Sequence, residues 1–386
     1  SQKRKIMNRL KQYFLLRDDV TFLNFGSFGA CPRPVLDEYQ RFQLEMEEEP
    51  VAFIMDKSPH YLKESRDALG RYLNCDGDDV VCVTNPSYAV NIVARSLNLK
   101  AGDEVLATNI EYGACDRTWR YYCKKRGATY KQQPIRFPIE DKEDFIRQFM
   151  AGVNDKTKLI FISHVTSSTA LRLPVEEICT LARERGIMTF VDGAHGPGQV
   201  EVDLRQMGAD IYTGASHKWM MTPKGSSFLY IRKGLQDLFD PIIISWGYEA
   251  VAPSSSRFLD YHEVQGTRDL SAFCTIPAAI RFMEEHNWRS VASECRKLVQ
   301  KNASTLTTIT GHLPIAPIND DFTAQMYAAQ IDTTDSQALH DRLYRTFNIQ
   351  IPVMAQGDQF YIRYSINGFN EQADLDKLFD ALRILL

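Results

Sequence analysis

The stretch GASHKWMMTPKGSSFLYIRK, residues 214–233, sets Lys218 directly behind Ser216 and His217 and ahead of an apolar run that reads as a strand. A lysine amine at a strand end is placed to form a Schiff base with an aldehyde cofactor, although a lone lysine there is more often a solvated surface group. Lys224 lies past Pro223 and reads as surface or local loop structure. Asp192 ends the apolar run IMTFV, so its carboxylate is desolvated. An unpaired buried charge costs roughly several kcal/mol, and a cation or a helix N-terminus must offset it. A protonated pyridine nitrogen would do so, and the pairing would keep that ring an electron sink.

Other groups suit the same chemistry. Asn85, Ser87 and the amide of Tyr88 stand where a strand turns into a helix, a place that favours phosphate; plain N-capping by Ser87 explains them equally well. Tyr112 opens the next helical stretch and has the shape to lie flat on an aromatic cofactor, while a core tyrosine is the commoner reading. His195, three residues past Asp192, is in reach of a phenolic oxygen. Asp192 with His195 and His217 also hints at a metal, but no pair has a dedicated metal motif, and no metal is expected. GAHGPG, residues 193–198, reverses the glycine order of a dinucleotide fingerprint, and TPKGSS lacks the upstream glycine of a phosphate-binding P-loop.

These groups must be held by a scaffold. DVVCVT (79–84), EVLATN (104–109), KLIFISH (158–164), IMTFVDG (187–193), ADIYTG (209–214) and SFLYIR (227–232) read as strands, with SYAVNIVARSL, GACDRTWRYYCKKRG and PVEEICTLARERG as helices between them. That alternation predicts an α/β fold with a mainly parallel sheet covered on both faces. Open sheets of this kind bind ligands at the carboxyl ends of their strands. The polar clusters TNPSYA, NIEYGA, SHVTSSTA, VDGAHGPG and GASHK all fall there, and their convergence is the main signal. After residue 266 the pattern changes to helices, the strands QMYAAQID and QFYIRYSIN, and an amphipathic C-terminal helix. Three parts are expected: a segment 1–22 joining the small domain, a large domain 23–265, and a smaller α+β domain 266–386.

The chain has 386 residues, a natural length for two domains. A composition 44% hydrophobic and 24% charged is that of an ordinary soluble protein, and a net charge of −4 argues against nucleic acid or an anionic membrane as main partner. No apolar run is long enough to span a bilayer. The basic start SQKRKIMNRLKQYFLL lacks the features of a signal peptide; its Arg and Lys suit a transit peptide, and an arm packed on a partner subunit is the preferred reading. Eight scattered cysteines without a C-x-x-C pair read as reduced, mostly buried thiols of a cytoplasmic protein.

Taken in order and spacing, N-P-S-Y, E-Y-G-A, V-D-G-A-H and S-H-K resemble the class V aminotransferase branch of pyridoxal-phosphate enzymes, over nearly the whole chain. LNFGSFGACPRPV (23–35), SHVTSSTALRLPVEEI (163–178), QGTRDLSAF (265–273) and IRYSINGFN (362–370) are most similar to the isopenicillin-N epimerase-like subgroup. The resemblance implies fold type I, with a large domain built on a seven-stranded sheet. It implies pyridoxal 5'-phosphate on Lys218, Asp192 at the pyridine nitrogen, Tyr112 on the ring, and His195 with His164 nearby at the phenolic oxygen. Ser87, Ser216 and His217 would bind the phosphate, with Thr267 reaching it from the partner subunit of a homodimer. Arg363 would clamp a substrate α-carboxylate, with Asn24, Ser27 and Phe28 bordering the pocket and Arg268 lining it across the interface.

The reaction stays open between an epimerase-like outcome, a C–S or other β-lyase, and an aminotransferase. A persulfide-type desulfurase is disfavoured: NIQIPVMAQGDQFYIRYS, leading into Arg363, holds no cysteine, and Cys295 lies in a predicted helix. A nucleotide- or metal-dependent α/β enzyme and a catalytically silent scaffold are the readings from other classes.

Overall fold

Buried strands rich in Val, Ile and Phe alternate with amphipathic helices from residue 80 onward, and the computed structural model shows what they build. It describes residues 10–386; the first nine residues, part of the expected segment 1–22, lie outside the described residues. Two helices, α1 (Arg33–Glu48) and α2 (Ser58–Leu73), precede the central sheet. Its strands are β1 (Val80–Val83), β2 (Glu104–Thr108), β3 (Thr129–Gln133), β4 (Thr157–Ser163), β5 (Met188–Gly193), β6 (Ile211–Gly214) and β7 (Ser227–Ile231). The order across this seven-stranded sheet is β1-β7-β6-β5-β4-β2-β3. β7 runs antiparallel to β1 and β6, and every other pairing is parallel.

Successive side chains of a strand point to opposite faces, and here they feed two apolar layers. Val81, Val83, Phe161, Phe190 and Ile211 pack under α3 (Pro86–Ser96) and α4 (Gly113–Arg126); Val80, Cys82, Ile160, Ile162 and Val191 pack on the other face with α5 (Lys142–Met150) and α6 (Val175–Glu184). Both faces being covered explains why the inner strands read as near-continuous apolar runs.

Toward the C-terminus, α7 (Ile276–Glu285) and α8 (Trp288–Thr310) lead into β8 (Met326–Ile331). After α9 (Ser336–Phe347) come β9 (Val353–Gln356), β10 (Gln359–Ser365) and α10 (Gln372–Leu385). The strands form an antiparallel sheet in the order β9-β10-β8, and α8 packs against both β8 and α10. Near the N-terminus, Thr21–Phe22 pair in parallel with Ile349–Gln350, and the Ser365 N–H donates to the Leu23 carbonyl at 2.9 Å. The first described residues are thereby stitched to this second sheet. Among the described residues no helix is long and apolar enough to cross a membrane.

Candidate active site

Register at the carboxyl edge of the large sheet fixes the first group. Ser163 on β4, Asp192 on β5 and Thr213 on β6 stand side by side. Asp192 is 4% exposed. Its Oδ1 accepts the Ala194 N–H at 3.0 Å, and its Oδ2 accepts the Cys115 thiol at 3.6 Å. Burial pushes this carboxyl above its ordinary range, while the Ala194 amide and Lys218 pull it back. Among the described residues no Lys or Arg nitrogen lies within ion-pair distance, so the acid lacks a fixed cation.

Lys218 follows β6 in a tight turn: its N–H donates to Ala215 O at 3.1 Å and its carbonyl accepts from the Met221 N–H at 3.2 Å. Burial, then Arg363, pull the ammonium down to about 8, with Asp192 acting the other way. Its amine is therefore available near neutral pH. Lys224 is exposed.

Beside Lys218, Ser216 Oγ, His217 Nδ1, Ser226 Oγ and Ser227 Oγ are buried without a hydrogen-bond partner among the described residues. The His217 N–H donates to Ser226 O at 2.9 Å and ties the two loops together. Burial and the nearby lysines hold the His217 imidazole down at about 4, so it is neutral. Buried polar atoms are normally satisfied, and a cradle of hydroxyls and an imidazole at a strand end fits a phosphate. Across the cleft, Ser87 sits half-buried in the first turn of α3. The cap expected from Ser87 is made by Asn85 instead, whose Oδ1 accepts the Tyr88 N–H at 2.8 Å. Asn85 and the Tyr88 amide are thus engaged with each other.

His195 is buried, and its Nδ1 accepts the Trp219 indole N–H at 3.3 Å, which leaves the ring proton on Nε2. Burial and the nearby Lys218 and Arg363 hold it well below its ordinary value. His164 shares its Nδ1 with the Tyr212 hydroxyl at 2.9 Å, and burial holds it down at about 3. Tyr112 is 49% exposed at the mouth of α4.

Arg363 comes from β10. It is 1% exposed; its Nη1 donates to Ser167 O at 2.8 Å, its Nη2 to Asn24 Oδ1 at 3.3 Å, and its Nε has no partner among the described residues. Ser27 Oγ also donates to Asn24 Oδ1, at 2.7 Å. Burial pulls the guanidinium down to about 10. Two glycines of NFGSFG let this loop pass between arginine and lysine. A Cβ on Gly26 would come within 2.9 Å of Arg363 Nη2, and one on Gly29, at φ +65°, within 2.6 Å of Lys218 O. Sequence reasoning left both glycines unassigned; their repeat, each directly after a phenylalanine, is the signal available. Phe28 is 71% exposed at the loop's outer side. Thr267 is exposed, and Arg268 is held by Gln265 Oε1 at 3.0 Å and Glu263 O at 3.2 Å while acting on the Tyr88 phenol.

The structure thus gathers Asp192, His195, Ser216, His217, Lys218 and Arg363 at one site, with a half-buried lysine close to an acid that has no ion pair among the described residues and beside unsatisfied hydroxyls and an imidazole. The family profile described as "Aminotransferase class-V" matches residues 29–378. The chain belongs to the class V aminotransferase family. As a class V member it is an enzyme with a fold type I architecture, and its cofactor is pyridoxal 5'-phosphate. It is similar to the isopenicillin N epimerase of Streptomyces clavuligerus, 31% identical over 96% of both chains. It is also similar to a probable chloroplastic L-cysteine desulfhydrase of Arabidopsis thaliana, 28% identical over 95% of this chain and 83% of the relative. In fold it matches the apo structure of a cysteine desulfurase from Thermococcus onnurineus NA1, with a TM-score of 0.83 at 20% identity, covering 98% of this chain and 97% of that one.

Proposed function

We propose that this class V enzyme acts at the α-carbon of an amino-acid substrate with an epimerase-like outcome. The observation that carries the reading is the half-buried Lys218 amine, near enough to both the acid Asp192 and the guanidinium of Arg363 to be acted on by each. Bound pyridoxal phosphate supplies an electron sink for negative charge developing on the substrate α-carbon. Asp192 would hold the ring nitrogen as its missing cation. Ser216, His217 and Ser87 would hold the phosphate, with Asn85 and Tyr88 shaping the α3 end of that cradle. Tyr112 would cover the ring face, and the Nε2–H of His195 would donate to the phenolic oxygen, with His164 behind it.

Lys218 would anchor the cofactor and then take the α-proton, a task suited to an amine held near neutral basicity. Arg363 would bind the α-carboxylate, using fork geometry that a lysine lacks, with Asn24, Ser27 and Phe28 at the pocket border. Thr267 and Arg268 would serve the neighbouring site of a homodimer. An exposed apolar run, Ile243, Ile244, Trp246, Tyr248 and Val251, supports that assembly. Eight free cysteines suit a reducing, cytoplasmic setting. A persulfide route has no support: Cys295 is fully buried inside α8, and no cysteine follows it.

The test is α-deuterium exchange across a panel of amino acids with product analysis. Racemised amino acid supports the proposal. A keto acid with ammonia would instead indicate the β-elimination suggested by the desulfhydrase relative, and an oxo acid formed only with an amino acceptor would indicate transamination.

A further inference from the structure

Glu111 lies between β2 and Tyr112, and none of the roles above uses it. Its side chain is 1% exposed. Oε1 accepts the Ser163 N–H at 2.8 Å and the Ser163 hydroxyl at 2.5 Å, while Oε2 meets the Thr108 hydroxyl in a short contact. Thr108 ends β2 and Ser163 ends β4, so one carboxyl ties two strand ends to the loop that carries Tyr112. Ser163 in turn stands in register beside Asp192.

The titratable groups facing this pair include the phenols of Tyr130 on β3, acted on by Glu111, and Tyr212 on β6, acted on by Asp192. Asp192 comes from β5, Cys115 and Asp116 from α4, and Lys218 from beyond β6; Asp116 is itself held by the Tyr130 hydroxyl at 2.5 Å. Lys218 acts on Asp192, and among the described residues neither Glu111 nor Asp192 has a Lys or Arg nitrogen within ion-pair distance. Two adjacent buried carboxylates with one nearby lysine between them favour a single shared proton over double ionisation. Asp192 has the lysine and two donors on opposite oxygens. Glu111 has no Lys or Arg nitrogen within ion-pair distance among the described residues; its Oε2 receives the Thr108 hydroxyl, a rotor that can turn to accept a proton from that oxygen instead.

We propose that Glu111 is a positioning residue that carries the one proton of a Glu111–Asp192 pair, keeping Asp192 the anion while pinning the Tyr112 loop to β2 and β4. The proton sits on Oε2 and is donated to Thr108 Oγ1, and the Ser163 donors stay on Oε1; raising the pH releases it to solvent. Burial, with Asp192 and Asp116 adding to it, pushes this carboxyl up to about 8. The proposal rests on the reading that Asp192 serves the ring nitrogen.

The experiment is an infrared pH titration of the full chain, with and without pyridoxal phosphate, for wild type, Glu111→Gln, Glu111→Ala and Asp192→Asn. Wild type should show a protonated-carboxyl band at neutral pH that fades in the alkaline range and is absent in Glu111→Gln. Asp192→Asn, by removing the adjacent charge, should make that band fade at lower pH. In the holoenzyme, Glu111→Gln should retain cofactor affinity and lack the alkaline step in visible absorbance. Glu111→Ala loses the tether and should weaken cofactor retention about tenfold, the scale of one or two lost hydrogen bonds. No such band in wild type, a band surviving in Glu111→Gln, or a titration unmoved by Asp192→Asn would each overturn the proposal. An unchanged cofactor spectrum in Asp192→Asn would overturn the ring-nitrogen reading alone, because the infrared coupling is read without cofactor.

Discussion

The two walls of the cleft solve the burial of charge in opposite ways. On the large-sheet wall, among the described residues, Asp192 has no ion pair, and Ser216, His217, Ser226 and Ser227 each keep an unsatisfied polar atom. On the second wall, Arg363 is buried more deeply than Asp192, yet both its terminal nitrogens are engaged, by Ser167 O and by Asn24 Oδ1, and only its Nε is left open among the described residues. One wall is poised for a resident group; the other holds its cation on weak, neutral acceptors that a carboxylate can outcompete, since charge-assisted hydrogen bonds are about twice as strong as neutral ones. Cofactor binding should therefore depend on the first wall and substrate binding on the second.

The largest effect that separates the walls is expected at Lys218. Lys218→Ala should reduce α-deuterium exchange by about a thousandfold or more and abolish the mass added to the protein by borohydride in the presence of pyridoxal phosphate. Persistence of that adduct would move the attachment point elsewhere. Arg363→Ala should leave the cofactor's absorbance alone and raise KM for amino acids by about a hundredfold, the loss of a charged, bidentate contact. A matching drop in cofactor affinity would erase the division of labour between the walls.

How far this was legible in the sequence follows the same division. The large-sheet strands announced themselves because both faces are buried, so their apolar runs are continuous. β3, reading TYKQQ, escaped because an edge strand half-open to solvent needs no such run, and its register is set by β2 rather than by its own pattern. Short β9 escaped for a similar reason. Asp192 was legible as a charge ending an apolar run and Lys218 as an amine at a strand end beside small polar residues, whereas Arg363 was reached through the family resemblance. Glu111 and Cys115 were not, because what distinguishes them is contact across strands: nothing local tells that Glu111 reaches Ser163, or that the Cys115 thiol reaches Asp192. The passage of Gly26 and Gly29 between Arg363 and Lys218 is likewise a fact of packing.

pH sharpens the contrast within the first wall. Glu111 has its folded value raised to about 8 from 4.5, so its contribution to stability is fully present below about 4.5 and is lost as pH rises through about 8. His164 has its folded value lowered from 6.5 to about 3, so its contribution is present above about 6.5 and is lost as pH falls through about 3. Between about 4.5 and 6.5 the two slopes oppose each other, and His195 and His217, also held by burial below their ordinary values, add to the His164 side. The cofactor-free chain should therefore lose stability on acidification across this window and, through Glu111, as pH rises from about 6.5 to about 8. Each pH unit crossed removes up to about 1.4 kcal/mol per titrating group. Glu111→Gln should flatten the alkaline side of a denaturant-midpoint profile and leave the acid side unchanged; a variant that flattens neither side would show that Glu111 ionises normally.

The smallest effect distinguishes folding from binding at the mouth of α3. Asn85 caps the helix through the Tyr88 N–H, whereas Ser87 is half-buried in the first turn and its hydroxyl makes no cap bond among the described residues. Asn85→Ala should cost about 1 kcal/mol of stability, the usual worth of an N-cap, visible as a lowered denaturation midpoint with or without pyridoxal phosphate. Ser87→Ala should leave the cofactor-free midpoint within error and reduce the extra stabilisation that added cofactor gives, because a ligand stabilises only through its affinity for the folded state. If the two substitutions exchange these signatures, Asn85 belongs to the phosphate cradle and Ser87 to the helix.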